Sequence, residues 1–246
     1  MDDHSENRQP LEAESDEPVL RSPVRPMRPP ETQAPTLPVL DSDDDDTPTN
    51  PENPLQALDQ LRERMERVAA EYADGKLNRA QFNAIYGKLS EQRAIIEKLR
   101  QRDPNNPAWK TVVENVNTRF LREHFQARLL YYLVYQHGKP TPLMMGGTQQ
   151  PNMERIAQVL QQLWSMKSRP RSGLARKDMG NGQWLVLAVG EFSLTVALYM
   201  LEPSVQQMNL VRDLQADFER ANSASLHQGT RSLDRFVFPQ RALTEQ

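Results

Sequence analysis

Four histidines and one run of cations are the side chains of this chain best equipped for chemistry. His4, His124, His137 and His227 are scattered, and none has a histidine four residues away or a carboxylate at metal-triad spacing. His124 falls at an expected helix end and His137 in an expected turn, where solvent-exposed structural roles suffice. No Gly-x-Ser-x-Gly elbow, P-loop or dinucleotide-binding fingerprint occurs, and "HGKPT" lacks the upstream glycine of a Walker motif. "MMGGTQQ" and "DMGNGQ" read as glycine-bearing turns, and Met144, Met145, Trp164 and Met166 as fillers of core gaps. With no cysteine, thiolate metal sites and disulfides are excluded. The "DGKL" turn is no calcium loop: with Gly75 at the glycine position of an EF-hand, Ala70, Tyr72 and Gln81 occupy ligand positions. These residues argue against an enzyme and provide no catalytic, cofactor-binding or metal site.

The cations Lys167, Arg169, Arg171, Arg176 and Lys177 fall within eleven residues that contain no acid. Such a run can meet phosphate or any other anionic partner. No recognition-helix pattern or interleaved aromatic platform accompanies it, so a basic-loop nucleic-acid-binding accessory protein is the alternative reading rather than the main one. No helix pairs a basic face with a strongly apolar one, which argues against a membrane-surface role.

Charge is divided along the chain. Residues 1–53 carry 14 acidic and 4 basic side chains and 10 of the 19 prolines, while the remainder has a net charge of +7. The first segment cannot bury enough apolar surface to offset its ordering entropy, so residues 1–53 read as a disordered acidic tail. Its "DSDDDD" tract is a possible screen for the basic remainder or simply a solubilising block. The acidic start lacks a secretory h-region, and the expectation is a cytoplasmic protein.

Residues 54–102 read as a helical hairpin. Leu55, Leu58, Leu61, Met65, Val68 and Tyr72 recur at helical spacing, as do Phe82, Ile85, Leu89, Ile96 and Leu99 after a break. Asp74-Gly75 supplies the turn, Asn78 and Gln81 the capping box, and Leu77 and Phe82 the hydrophobic staple. A third helix starts near Pro107, with Trp109, Val112, Val113, Val116 and Phe120 as its stripe.

The period then changes to that of strands: about Arg128–Tyr135, a turn at His137-Gly138-Lys139, and a short edge strand at about Thr141–Met145, limited by Pro140 and Pro142. "NMERIAQVLQQLWSMKS" is a helix capped by Asn152 whose apolar residues cover about half the cylinder, more than the roughly 100° stripe one sheet needs. The surplus predicts a second contact surface.

Trp184–Leu201 holds eighteen residues with one charge, Glu191. As a membrane helix it is short, with the charge near its centre. As two strands it places Gly190 in a type II′ turn and Glu191 in solvent. The hairpin is the better reading. Leu174–Met179 adds a strand before the turn at Gly180-Asn181-Gly182, and Met208, Val211, Leu214 and Phe218 mark a closing helix. Strands apolar on both sides need helices on both faces, one cover being the closing helix and the other the Met153–Met166 or the Trp109–Phe120 helix. The fold class is therefore α/β (α+β): a five-stranded, mostly antiparallel sheet in α-β-β-α-β-β-β-α order, preceded by the hairpin and followed by a C-terminal tail at 226–246.

This order, the "YYLVYQHGKPTPL" hairpin and the three-strand meander closed by a helix resemble the roadblock/dynein-light-chain type domain of the roadblock–longin superfold, over about residues 107–225. The basic run "KSRPRSGLARK" departs from the usual pattern. The resemblance implies a homodimer, in which the middle helix and adjoining sheet edge of two protomers pair. Met153, Ile156, Val159, Leu160 and Leu163 are then the dimer-interface candidates. It also implies a non-enzymatic scaffold, a platform for a Ras-like small GTPase or a motility or polarity complex. Separately, the "DG-L---F---Y--L" pattern resembles helical-hairpin modules appended to many bacterial proteins, which implies an oligomerisation or docking element.

Overall fold

A computed structural model describes residues 51–114, 118–166, 172–228 and 233–245. The first fifty residues of the expected tail, and Lys167, Arg169 and Arg171, lie outside the described residues.

Helix α1 (Pro54–Ala73) begins where the Asn53 side chain accepts the Gln56 N–H at 2.9 Å, with Pro54 at a position that needs no donor. Helix α2 (Arg79–Arg102) opens with the expected capping box: Asn78 Oδ1 accepts the Gln81 N–H at 2.8 Å and Gln81 Oε1 accepts the Asn78 N–H at 2.9 Å. Their amide groups also donate, at 2.7 Å each, to the carbonyls of Phe125 and Arg122. The box thus terminates one helix and anchors the next segment, α3 (Trp109–Glu114) and α4 (Thr118–His124).

Leu61, Met65, Val68, Ile85, Leu89 and Ile96 form the hairpin core together with Trp109 and Val113. Leu55 and Tyr72, expected on that stripe, are exposed; Ala57 takes the buried position instead. The Trp109–Phe120 segment therefore belongs to the hairpin and does not cover the sheet, and Phe120 is itself exposed. Residues 115–117, including Val116, lie outside the described residues.

The sheet contains β1 (Arg128–Gln136), β2 (Met144–Gly147), β3 (Gly173–Gly180), β4 (Gln183–Val189) and β5 (Ser193–Met200), all antiparallel, in the order β2-β1-β5-β4-β3. The long apolar stretch is thus β4 and β5, and among the described residues no helix is long and apolar enough to cross a membrane. β2 is an edge strand and begins at Met144 rather than Thr141. Pro140 and Pro142 have no N–H, and beyond the turn bond from Lys139 to Gln136 the Leu143 N–H reaches β1, at 2.7 Å from the Val134 carbonyl. Asn181 and Gly182 (φ 54° and 73°) give β3 and β4 a two-residue turn of the primed type, whose twist suits a hairpin.

The β4–β5 turn differs from the expected type II′ form. Gly190 is not among the residues with positive φ. Its missing side chain serves a close approach instead: a Cβ there would overlap the Glu219 carboxylate. Glu191 is exposed, as expected.

One sheet face, with Tyr132, Val134, Val186, Ala188, Ala197 and Tyr199, packs on Met208, Val211 and Phe218 of α6 (Val205–Ala221). The other, with Leu133, Tyr135, Leu185, Leu194, Val196 and Leu198, packs on Ile156, Leu160 and Leu163 of α5 (Met153–Trp164). A bulge between Leu129 and Tyr131 turns Leu130 and Tyr131 both toward the α5 side.

The C-terminal segment is not a tail over the described residues. After α7 (Ser223–His227), the 3₁₀ turns Leu233–Arg235 and Pro239–Leu243 return to the α6 face, burying Phe236 and Leu243. Asn222 clamps the return, accepting the Val237 N–H at 2.8 Å and donating to its carbonyl at 2.7 Å. The Phe236 and Phe238 rings both pack against Phe218, and this aromatic cluster is what draws "FVFP" onto the core. Hairpin, sheet and C-terminal segment form one compact unit, Pro48–Gln246.

Two measurements check this packing. Gly75 has φ +73°, and a Cβ on it would stand 2.6 Å from the Val205 Cβ, so Gly75→Ala is expected to lower stability to urea by about 2–4 kcal/mol. Burial pushes the Tyr199 hydroxyl up to about 12 from an ordinary 10.0. Between those values the unfolded chain releases a proton that the folded chain keeps, so stability falls as pH rises, by about 1.4 kcal/mol per pH unit. Tyr199→Phe should flatten that alkaline slope by one proton in urea titrations at successive pH values.

Candidate functional site

The apolar surplus predicted on α5 separates into two sets. Ile156, Leu160 and Leu163 are 1%, 2% and 7% exposed and belong to the chain's own core. Val159 is half-buried, and Met153 is exposed at the start of the helix. Of the five interface candidates, Met153 and Val159 therefore retain surface to offer. Ala157 and Met166 add exposed positions that the candidate set omitted. The angular width of the stripe signalled this surplus, but periodicity alone does not say which flank meets the sheet. Met145 and Met166 are exposed rather than gap-filling, Trp164 is half-buried, and Met144 packs on the α6 side.

Beside α5 lies β3, the last strand of the sheet, with Ala175, Arg176, Lys177 and Asp178 exposed. Arg155 of α5 donates from Nη2 to the Met179 carbonyl at 2.9 Å, joining helix to edge strand. Charged residues along an open edge discourage indiscriminate pairing.

The two described cations of the basic run differ. Arg176 donates to Glu202 at 2.6 Å and lies over the Trp184 ring at 5.6 Å, so its charge is matched within the chain. Glu202, only 12% exposed, also takes Arg79 at 3.3 Å, which joins the hairpin to the β5–α6 junction. Lys177 remains exposed. The pairing with Glu202 is invisible in sequence because the two residues are twenty-six positions apart, and Arg176 stays about half exposed (47%).

The three described histidines each contact neighbouring groups of the chain. His137 Nε2 lies 2.8 Å from the Gly190 carbonyl, and His227 packs at a tilt against Phe192 and bonds the Ser223 carbonyl at 2.7 Å. His124 lies against Phe120 and Phe125, and His4 lies outside the described residues. Among the described residues, no three metal-ligating side chains gather.

The densest polar cluster holds the β4–β5 turn. Glu219 accepts the N–H groups of Glu191, Phe192 and Ser193 at 3.0, 2.9 and 2.8 Å and the Ser193 hydroxyl at 2.8 Å. Successive backbone donors form an anion-binding nest, here filled by the chain's own carboxylate. The relay continues inward: Gln215 donates to Ser193 at 2.7 Å, Thr195 to Gln215 at 2.6 Å, and Gln240 to Thr195 at 3.2 Å. Ser193, Thr195 and Gln240 are fully buried, so this is a core network and not a reactive site.

Burial also raises the hydroxyls of Tyr131, Tyr132 and Tyr135, offset at Tyr131 by the Arg155 guanidinium. These phenols remain protonated at neutral pH.

Comparisons with protein-family models, with curated proteins and with solved structures found no match to this chain.

Because Glu219 replaces a turn carbonyl with a charged acceptor, Glu219→Ala leaves three N–H groups without their partner. The expected loss is about 2–4 kcal/mol in urea denaturation, with Glu219→Gln intermediate. Equal stability of Glu219→Ala and the parent would show the nest to be incidental.

Proposed function

We propose that this chain is a non-enzymatic, homodimerising scaffold whose dimer serves as a platform or regulator for a Ras-like small GTPase or a motility or polarity complex. The observation that carries this reading is the open outer edge of β3, tied to α5 by the hydrogen bond from Arg155 to the Met179 carbonyl. A terminal strand presents main-chain donors and acceptors on one side, and pairing with a second copy continues the sheet. Met153, Ala157 and Met166 supply exposed apolar surface on and just after that helix. The element order and antiparallel meander agree with the roadblock-type resemblance.

Met153 and Met166 are exposed, so the pair Met153→Glu and Met166→Glu tests the interface without entering the core. Light scattering at micromolar concentration should give twice the chain mass for the parent and the single mass for the double variant, with melting temperatures alike. Ile156→Glu should instead unfold the sheet domain, since it buries a charge. A parent that runs as a monomer sinks the dimer. For the platform, affinity capture followed by mass spectrometry should recover a Ras-like GTPase with the parent and not with the double variant.

A further inference from the structure

A cavity of about 420 Å³ opens between the far end of the sheet, α6 and the returning C-terminal segment. Small-molecule sites commonly occupy about 300–1,000 Å³, so the space suits a ligand rather than a single water. Its apolar lining includes Leu129 of β1, Leu210 of α6 and Leu243 of the C-terminal turn. Tyr199, 3% exposed as a residue, lines the same space, which leaves its hydroxyl accessible from the cavity rather than sealed in the core. A phenol accessible from a cavity offers a hydrogen bond to a ligand group that enters it, beside the polar wall of Gln126, Thr148, Gln207 and Thr244.

The walls are braced in advance. The Gln207 side chain donates to the Ala127 carbonyl at 2.9 Å, fixing α6 against the entry to β1. Gln240 holds the C-terminal turn to Thr195 at 3.2 Å, and Asn222 clamps Val237 on both main-chain groups. The cavity is therefore preformed, as ligand sites usually are.

Charge selects the ligand. The lining contains no carboxylate. Its one cation, Arg128, is exposed, so its charge is screened by solvent and gives a buried anion little support. A ligand anion would lose water without an inward counter-charge. We infer that this cavity binds a small uncharged amphipathic molecule, its apolar body over Leu129, Leu210 and Leu243 and its hydroxyl or amide group hydrogen-bonded to the Tyr199 phenol. Because burial holds that phenol protonated, it both donates and accepts at neutral pH.

The test compares three probes with one ring system: 2-naphthol, naphthalene and 2-naphthoate, titrated into the full chain by calorimetry. The parent should bind 2-naphthol about fivefold tighter than naphthalene, the worth of one hydrogen bond, and 2-naphthoate no tighter than naphthalene. Tyr199→Phe should erase the preference for 2-naphthol while leaving naphthalene affinity unchanged, a readout that loss of fold would not produce. Leu210→Trp should fill the cavity and abolish both. No binding of 2-naphthol at millimolar concentration overturns the site. An unchanged preference in Tyr199→Phe removes the phenol from it, and tighter binding of 2-naphthoate overturns the uncharged class. These outcomes are independent of whether the chain dimerises.

Discussion

The two-sided burial of β5 is the constraint on which the rest of the structure depends. Seven of its eight residues are buried, and both neighbours, β1 and β4, are largely buried as well. A strand in that position has no solvated face, so the chain must supply apolar cover above and below the sheet. On one side it does so with a seventeen-residue helix, the aromatic cluster of Phe218, Phe236 and Phe238, and a C-terminal turn. On the other side the cover described is a twelve-residue helix, α5. The heavier layer encloses the cavity at its end, and the lighter one leaves Met153 and Ala157 of α5 exposed.

Polar groups set the register within that apolar frame. A buried hydroxyl or amide without a partner loses about 1–3 kcal/mol, so the chain Gln240–Thr195–Gln215–Ser193–Glu219 favours the placement of sheet, helix and C-terminal turn that makes these bonds, with Gln240 Oε1 alone in it left without a partner among the described residues. Apolar contacts alone tolerate sliding; this sequence of donors and acceptors does not. Glu202 acts similarly at the opposite junction, where a single, mostly buried carboxylate receives one arginine from the hairpin and one from β3. Hairpin and sheet thus share an electrostatic joint as well as the close contact of Gly75 with Val205. For the proposed scaffold, such joints would keep the pairing edge and the helical hairpin in one fixed relation.

Much of the architecture was legible in the sequence because its causes are local. Asn78 and Gln81 cap a helix three residues apart, Asn181-Gly182 forms a primed turn within one dipeptide, and Pro140 and Pro142 limit β2 by lacking donors. The same locality made the five strands and the closing helix readable. Errors arose where an alternating or helical pattern permits two neighbours. The Trp109 stripe fits either a sheet or a hairpin and takes the hairpin; the wide arc on α5 offers five interface residues, three of which turn inward.

By itself, then, the sequence determined the elements, their order and the need for cover on both faces, since periodicity, caps and turn residues act over a few positions. Only the tertiary structure decided which partner each polar or apolar group would meet. Gly190 makes room for Glu219, Arg176 is matched by Glu202, and Gln207 reaches Ala127 eighty residues away. The Tyr199 cavity likewise exists only where β1, α6 and the C-terminal turn converge. Such long-range pairings depend on chain closure over tens of residues, and no pattern within a short window encodes them.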